Sequence, residues 1–503
     1  MTARRGVELL AYVDRLGGDL RGVKAILDGP LREFESVHLL PFFVPFDGAD
    51  TGFDPTDHAS VDTRLGGWDD VRSLAEGRRL TADLIVNHVS ASSSEFRDWL
   101  ARGRESEYEG MFLTFDTVFP RGGSEREITA FYRPRPGLPF TPYETADGTR
   151  HLVWTTFMPS QVDLDVADPK ARAYLQRILR ALAEGGVGTV RLDAVGYAVK
   201  TPGTDSFMTG ATLDFVREIT EMAHREGLRV LVEVHAHYSQ QLAIAPRVDL
   251  VYDFALAPLL LHSLGSGTVQ QLAHWLDIRP ANAVTVLDTH DGIGVIDAGP
   301  SGDRPGLIST EEMAAIFSRA EAATNGHSAV ASVIPAWARM PHQINATFFS
   351  VLGGDRDAYL LARAVQLWLP GEPQIYYVGL LGGRDDIALF ERTGNGRDVN
   401  RHHYGAAELA TALDSDVTRA LLGLVRIRSR HPAFSGDFGQ RTISADTLEL
   451  LWTDGDASAR LELCVGLPAP SFRIDLTVAG LTRTITTAAD LYDADLLMTQ
   501  TSL

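Results

Sequence analysis

Four short segments carry residues able to do chemistry, and they come in a fixed order. They are Asp83-Leu84-Ile85-Val86-Asn87-His88, Arg191-Leu192-Asp193-Ala194-Val195-Gly196-Tyr197, Leu231-Val232-Glu233-Val234-His235 and Leu287-Asp288-Thr289-His290-Asp291. Each is an apolar run ending in acids, an arginine or a histidine. Continuous apolar runs mark strands buried on both faces of a parallel sheet. In a (β/α)8 barrel the reactive side chains sit where such strands end. Convergence on one mouth would set three carboxylates, Asp193, Glu233 and Asp291, around one substrate. Such a set suits cleavage of a glycosidic bond.

Double displacement at that bond needs a nucleophile and an acid/base about 5 Å apart. Asp193 is the candidate nucleophile. Arg191 lies two residues earlier on the same strand face, and its guanidinium should keep Asp193 ionised. Glu233 is the candidate acid/base. It must be protonated to assist the leaving group, which calls for surroundings that favour its neutral form. Asp291 would brace hydroxyls and the cationic transition state. His88 and His290 are candidates to hydrogen-bond those hydroxyls. No His-x-x-x-His and no cysteine pair supports a metal, so none is expected.

The elements that must position these residues alternate. Strand-like runs at 7–13, 36–40, 230–234, 250–252, 283–288 and 374–377 are separated by amphipathic helices, the pattern of an α/β fold. Asp168-Pro169 offers an N-cap and a first-turn proline, and Gly185-Gly186 a stop. A second helix is expected over about 213–225. Two long stretches, 89–167 and 292–352, break the alternation and are expected to form small subdomains over the mouth. After about 432 the pattern turns to period-two strands at 447–452, 460–465 and 471–478, read as a C-terminal β sandwich. The expected organisation is therefore a barrel over 1–88, 168–291 and 353–432, with a C-terminal β domain over 433–503.

Composition narrows the partners. The 503 residues carry a formal charge of −20, which argues against nucleic acid and anionic membranes. No run of about 18 apolar residues predicts a membrane span. The first sixteen residues lack a signal-peptide core. One cysteine, Cys464, excludes an internal disulfide, and the cytoplasm is the expected compartment. Monomer and homodimer both stay open.

The segments resemble the α-amylase superfamily of glycoside hydrolases. Five stretches look like its sucrose phosphorylase branch: 50–58, 132–140, 193–197, 288–297 and 395–402. The resemblance covers nearly the whole chain and weakens after about Pro432. It implies a (β/α)8 TIM barrel with inserted B and B′ subdomains, a C-terminal antiparallel β domain, and double displacement without metal or organic cofactor. It further implies that Asp50 pairs with Arg401 to grip the far side of glucose. Phe53, Phe157 and Tyr197 would form an apolar wall, with Gln161 nearby. Arg135, in Arg133-Pro134-Arg135-Pro136, resembles the branch's phosphate-binding arginine.

One loop departs from sucrose phosphorylases, which place an aspartate and a tyrosine before a glutamine. Here the stretch reads Ala338-Arg339-Met340-Pro341-His342-Gln343-Ile344-Asn345. Met340 replaces the acid and His342 the tyrosine. Losing a carboxylate removes repulsion toward an anionic leaving group, and a histidine adds a donor for phosphate. The pattern looks like that of relatives specific for sucrose 6F-phosphate, so a sugar phosphate and inorganic phosphate are the expected partners. Sucrose, glucosylglycerate or glucosylglycerol as substrate, and hydrolysis or transglucosylation as reaction, are the competing readings. A non-catalytic family member is disfavoured, because all three acids are retained.

Overall fold

The computed structural model describes residues 6–134, 137–332 and 340–492. Its centre is a closed barrel of eight parallel strands. They are β1 Glu8–Ala11, β2 Ser36–Leu39, β3 Arg79–Ile85, β4 Thr189–Asp193, β5 Arg229–Val232, β6 Leu250–Asp253, β7 Ala283–Thr285 and β8 Glu372–Tyr376. Neighbours in sequence are neighbours in space, and β1 pairs with both β2 and β8 to close the ring. The expected strands are present with shifted ends. The run at 7–13 yields only β1, because a helical turn, Val13–Leu16, already begins there. Likewise β7 stops at Thr285, which frees Asp288 to turn toward a buried arginine.

Register puts the charged residues together. Arg191 on β4 stands opposite Asp83 on β3 and Leu231 on β5. Their flanking neighbours Val190, Leu192, Val230 and Val232 are fully buried. With a side-chain period of two, Arg191 and Asp193 share one face. Just after Asp193, Ala194 takes a left-handed conformation (φ 54°) that turns the strand end into the short helical turn Val195–Tyr197. Residues held there need a surrounding structure that over-determines them.

Helices surround the barrel. Among them, α1 (Pro169–Glu184) is capped by the Asp168 side chain on the Lys170 N–H and has its proline at the N-terminal end, as the sequence predicts. The next, α2 (Gly210–Arg225), starts before the expected position because Thr209 caps it through the Thr212 N–H. From α3 (Arg356–Trp368), Arg363 reaches Asp288 at 2.5 Å with both side chains buried, anchoring the segment that carries His290 and Asp291.

Two excursions rise from the barrel. Residues 88–90 and 161–163 pair antiparallel, so His88 faces Asp163 and Ser90 faces Gln161. Between them Leu113, Phe119, Phe131 and Trp154 form a separate apolar cluster. In the second excursion Ile293–Gly294 pairs antiparallel with Gln343–Ile344, which brings the His342 end back to the strand that follows Asp291.

The C-terminal region differs from the sandwich the sequence predicts. Among the described residues it is one antiparallel sheet of five strands: β9 Asp437–Thr442, β10 Thr447–Asp454, β11 Ala457–Cys464, β12 Ser471–Val478 and β13 Leu481–Ile485. A sheet with one apolar face needs one cover, and here the cover includes α3 and the turn Pro432–Ser435. Trp452 on β10 donates to the Trp368 carbonyl at 2.5 Å, and Trp368 donates to the Ala459 carbonyl at 3.3 Å. Alternating strands look the same from sequence whether a sheet or a helix covers them. We expect Trp452→Ala to destabilise the protein by about 3–5 kcal/mol, measured by chemical denaturation. An unchanged midpoint would show that this junction contributes little.

Candidate active site

A cavity of about 570 Å³ opens at the C-terminal ends of the barrel strands, within the size range of small-molecule sites. Its lining includes Asp193, Glu233 and Asp291, so the three strand-end acids do meet. Asp50, Phe53, His88, Phe157, Tyr197, His290, His342 and Gln343 line the same cavity. Arg191, Gln161 and Arg401 stand behind that lining, buried at 2 %, 0 % and 1 % exposure. Arg135 lies outside the described residues, as does Arg339.

Arg191 organises the floor. It pairs with Asp83, with Asp193 at 3.2 Å and with Glu233 at 2.6 Å. One guanidinium thus fixes both carboxyls that double displacement requires. The sharing also changes the proton balance that the sequence suggests. Burial is the largest influence on Asp193, and the charges of Glu233, Asp83 and Asp291 add to it. Together they push the Asp193 carboxyl well up, although Arg191 opposes them. Arg191 also lies nearer to Glu233 than to Asp193. Interacting carboxyls titrate as a set, so the ionisation of Asp193 depends on the charges around it. Asp83 stays ionised: burial opposes its charge, but Arg191 and His38 outweigh it and hold it at about 2.

Asp291 is held on its outer side. Arg397 reaches it at 2.8 Å and Arg401 at 3.6 Å. Burial works against its charge, but Arg397 and Arg401 help to keep its carboxyl well below the usual range. The pairing of Asp50 with Arg401 implied by the resemblance does not form. Arg401 instead donates to the His290 carbonyl and to Thr51 Oγ1, both at 2.8 Å, and lies 3.6 Å from Asp398. Asp50 accepts from Gln161 at 3.0 Å. Thr51, left-handed at φ 55°, intervenes between the two charged groups.

The two histidines differ. His290 stacks on Phe53 at 4.9 Å, and burial pushes its imidazole well below the ordinary value, so it is neutral. Its Nδ1 is buried without a hydrogen-bond partner, which leaves it for a ligand hydroxyl. Both nitrogens of His88 are within reach of protein groups: Nε2 lies 2.9 Å from the Phe53 carbonyl and Nδ1 3.4 Å from Asn87. His88 therefore acts first as a brace for the Phe53 and Gln161 wall. Phe157 meets Tyr197 edge-on at 5.2 Å, completing that wall.

Some contributors were not singled out from sequence. Tyr132 approaches His342 Nδ1 at 3.2 Å through its hydroxyl, joining the two excursions across the mouth. Arg397 sits in the 395–402 stretch, but nothing in its spacing tells it from Arg401. Lys200 pairs with Asp163 at 2.7 Å and donates to the Tyr197 carbonyl at 2.5 Å, tying down the turn after Asp193. Glu233, His235 and Asp291 offer ligand atoms within 4.8 Å of one another. Arg191 and Arg397 already neutralise the two carboxylates, so the trio is an ion-paired set and a poor cation site.

Comparison with known proteins identifies the family. The family described as alpha amylase, catalytic domain, matches residues 3–273. A sucrose phosphorylase of Agrobacterium vitis is 48 % identical over 461 residues, 91 % of this chain and 94 % of that protein. A sucrose 6(F)-phosphate phosphorylase of Thermoanaerobacterium thermosaccharolyticum is 35 % identical over 482 residues, 92 % and 95 % of the two chains. The crystal structure of a sucrose 6F-phosphate phosphorylase from Thermoanaerobacter thermosaccharolyticum superposes with a TM-score of 0.89 at 33 % identity, covering 97 % of this chain and 98 % of that one. The chain belongs to the α-amylase family and, within it, to the glycosyl-transferring disaccharide phosphorylases of the sucrose phosphorylase branch.

Proposed function

We propose that this protein is a retaining phosphorylase that converts sucrose 6F-phosphate and inorganic phosphate to α-D-glucose 1-phosphate and fructose 6-phosphate. Asp193 attacks the anomeric carbon while Glu233 gives its proton to the leaving fructosyl oxygen. A phosphate oxygen then attacks the same carbon, its proton passes to Glu233, and the glucosyl–Asp193 bond breaks. Two inversions give net retention. Asp291 and His290 hold glucose hydroxyls, and the contact of Tyr132 with His342 across the mouth helps to exclude water. No helix among the described residues is long and apolar enough to cross a membrane. A cytoplasmic location, supported by the single cysteine, is part of this reading.

The observation that carries the substrate choice is the rim at Met340-Pro341-His342-Gln343. It has no carboxylate, and His342 stands in the cavity wall against Tyr132. Burial holds the His342 imidazole below its ordinary value, with Asp297 opposing. A bound phosphate would favour the imidazolium, so preference for the phosphorylated sugar should grow as pH falls. A second reading, unphosphorylated sucrose, is favoured by the 48 % identity to a sucrose phosphorylase against 35 % to a sucrose 6(F)-phosphate phosphorylase.

Glucose 1-phosphate release from the two sugars side by side separates the readings. We expect His342→Ala to cut kcat/KM for sucrose 6F-phosphate about tenfold to 100-fold, the size of one hydrogen bond to a charged group. Turnover of sucrose should change little. Equal losses on both sugars would remove the phosphate-recognition role.

A further inference from the structure

Beside Glu233 lies a pair of side chains that the mechanism above leaves unused. His235 Nε2 is 3.6 Å from Glu233 Oε1, and this nitrogen is buried without a hydrogen-bond partner. The other ring nitrogen, Nδ1, lies 3.4 Å from Asp297 Oδ2. Asp297 is fully buried, and its second oxygen accepts from the Ala236 N–H at 3.1 Å and from Gln241 at 3.4 Å. The imidazole stacks on Phe254 at 3.8 Å, which fixes its plane. Gly294 makes room for the pair. A Cβ there would lie 2.2 Å from Asp297 Oδ2 and 3.1 Å from His235 Nδ1.

A carboxylate with no exposure keeps its charge only when donors and a cation stand against it. His235 is the ring at that distance. Resting on the phosphorylase reading, we propose that Asp297 and His235 are positioning residues for Glu233. Asp297 keeps the imidazole protonated, and that charge holds Glu233 as the carboxylate that takes the proton of attacking phosphate. Charged groups from every neighbouring element bear on the pair. Arg191 from β4 touches Glu233, Asp291 follows β7, and His342 on the opposite rim feels Asp297. Burial lowers the tendency of His235 to bind a proton. The Asp297 hydrogen bond, then the charges of Asp297, Glu233 and Asp291, reverse this and leave it raised.

In the step concerned, a phosphate oxygen forms its bond to the anomeric carbon. The electron pair of the breaking ester bond returns to Asp193, and the phosphate proton moves to Glu233. Azide makes the same attack with no proton to give up. The pair should therefore matter for phosphate and not for azide.

The experiment compares His235→Gln and Asp297→Asn with the parent enzyme. The Asn amide oxygen still accepts from the Ala236 N–H, so this variant keeps the local fold. Loss of the imidazolium makes Glu233 easier to protonate. The alkaline limb of kcat/KM for the sugar substrate should then move up by about one pH unit. Capture of the glucosyl enzyme by phosphate should slow about tenfold, at the low end of general-base effects, with azide capture unchanged. Asp297→Glu should restore part of the limb. Equal slowing with phosphate and azide, or loss of rate with an unmoved limb, would overturn the proposal. Absence of glucose 1-phosphate from either sugar would instead remove the phosphorylase reading. The limb shift can still be read from release of the leaving sugar.

Discussion

Asp193→Asn is expected to lower turnover of the sugar substrate by at least about 10⁴-fold, because the proposed covalent route depends on that carboxylate as nucleophile. Stability should move the other way. Asp193 sits among Glu233, Asp83 and Asp291, and burial with these charges drives its carboxyl well up. A carboxyl raised in the folded state costs stability once it must ionise. That cost appears as pH climbs from the ordinary carboxylate value toward the raised one. Asparagine carries no such cost. Arg191 keeps Asp83 and Glu233 as partners in the variant. The variant should thus be as stable as the parent at low pH and more stable near neutrality. Thermal denaturation at two pH values, together with product release, checks both halves. Full turnover would displace Asp193 as nucleophile, and a stability loss at neutral pH would contradict the electrostatic account.

The barrel was legible because its strands are buried on both faces and so read as unbroken apolar runs. The position of Arg191 relative to Asp193 was legible because strand side chains repeat every two residues. The cap at Asp168-Pro169 was legible because capping is local chemistry. What escaped detection depends on chain segments far apart in sequence. His235 meets Asp297 across 62 positions and Tyr132 meets His342 across 210. The sharing of Arg191 among three acids follows from the registers of β3, β4 and β5 together, which no one strand encodes. Arg397 and Arg401 lie in one short stretch. Only the fold shows that both turn to Asp291 while Asp50 goes to Gln161. The single C-terminal sheet escaped for a related reason: an alternating strand records that one face is covered, and not what covers it.

Glu233→Gln is expected to separate the two half-reactions. Loss of a general acid costs about 10²- to 10⁴-fold when the leaving group needs a proton. With α-D-glucosyl fluoride as donor, departure needs little assistance, and formation of the glucosyl enzyme should stay within about tenfold of the parent. The amide oxygen can still face Arg191, so the floor built on the 2.6 Å contact persists. The pH profile supplies a second check. On the proposed mechanism the parent's activity on the sugar is expected to have an alkaline limb set by its general acid, and a glutamine has no proton to lose, so that limb should vanish. Removing the charge of Glu233 also relieves one of the influences that raise the Asp193 carboxyl, so the nucleophile ionises more readily in the variant, in keeping with a fluoride rate near that of the parent. A fluoride rate that fell as far as the sugar rate and stayed flat with pH would mean that Glu233 serves the site by shape alone.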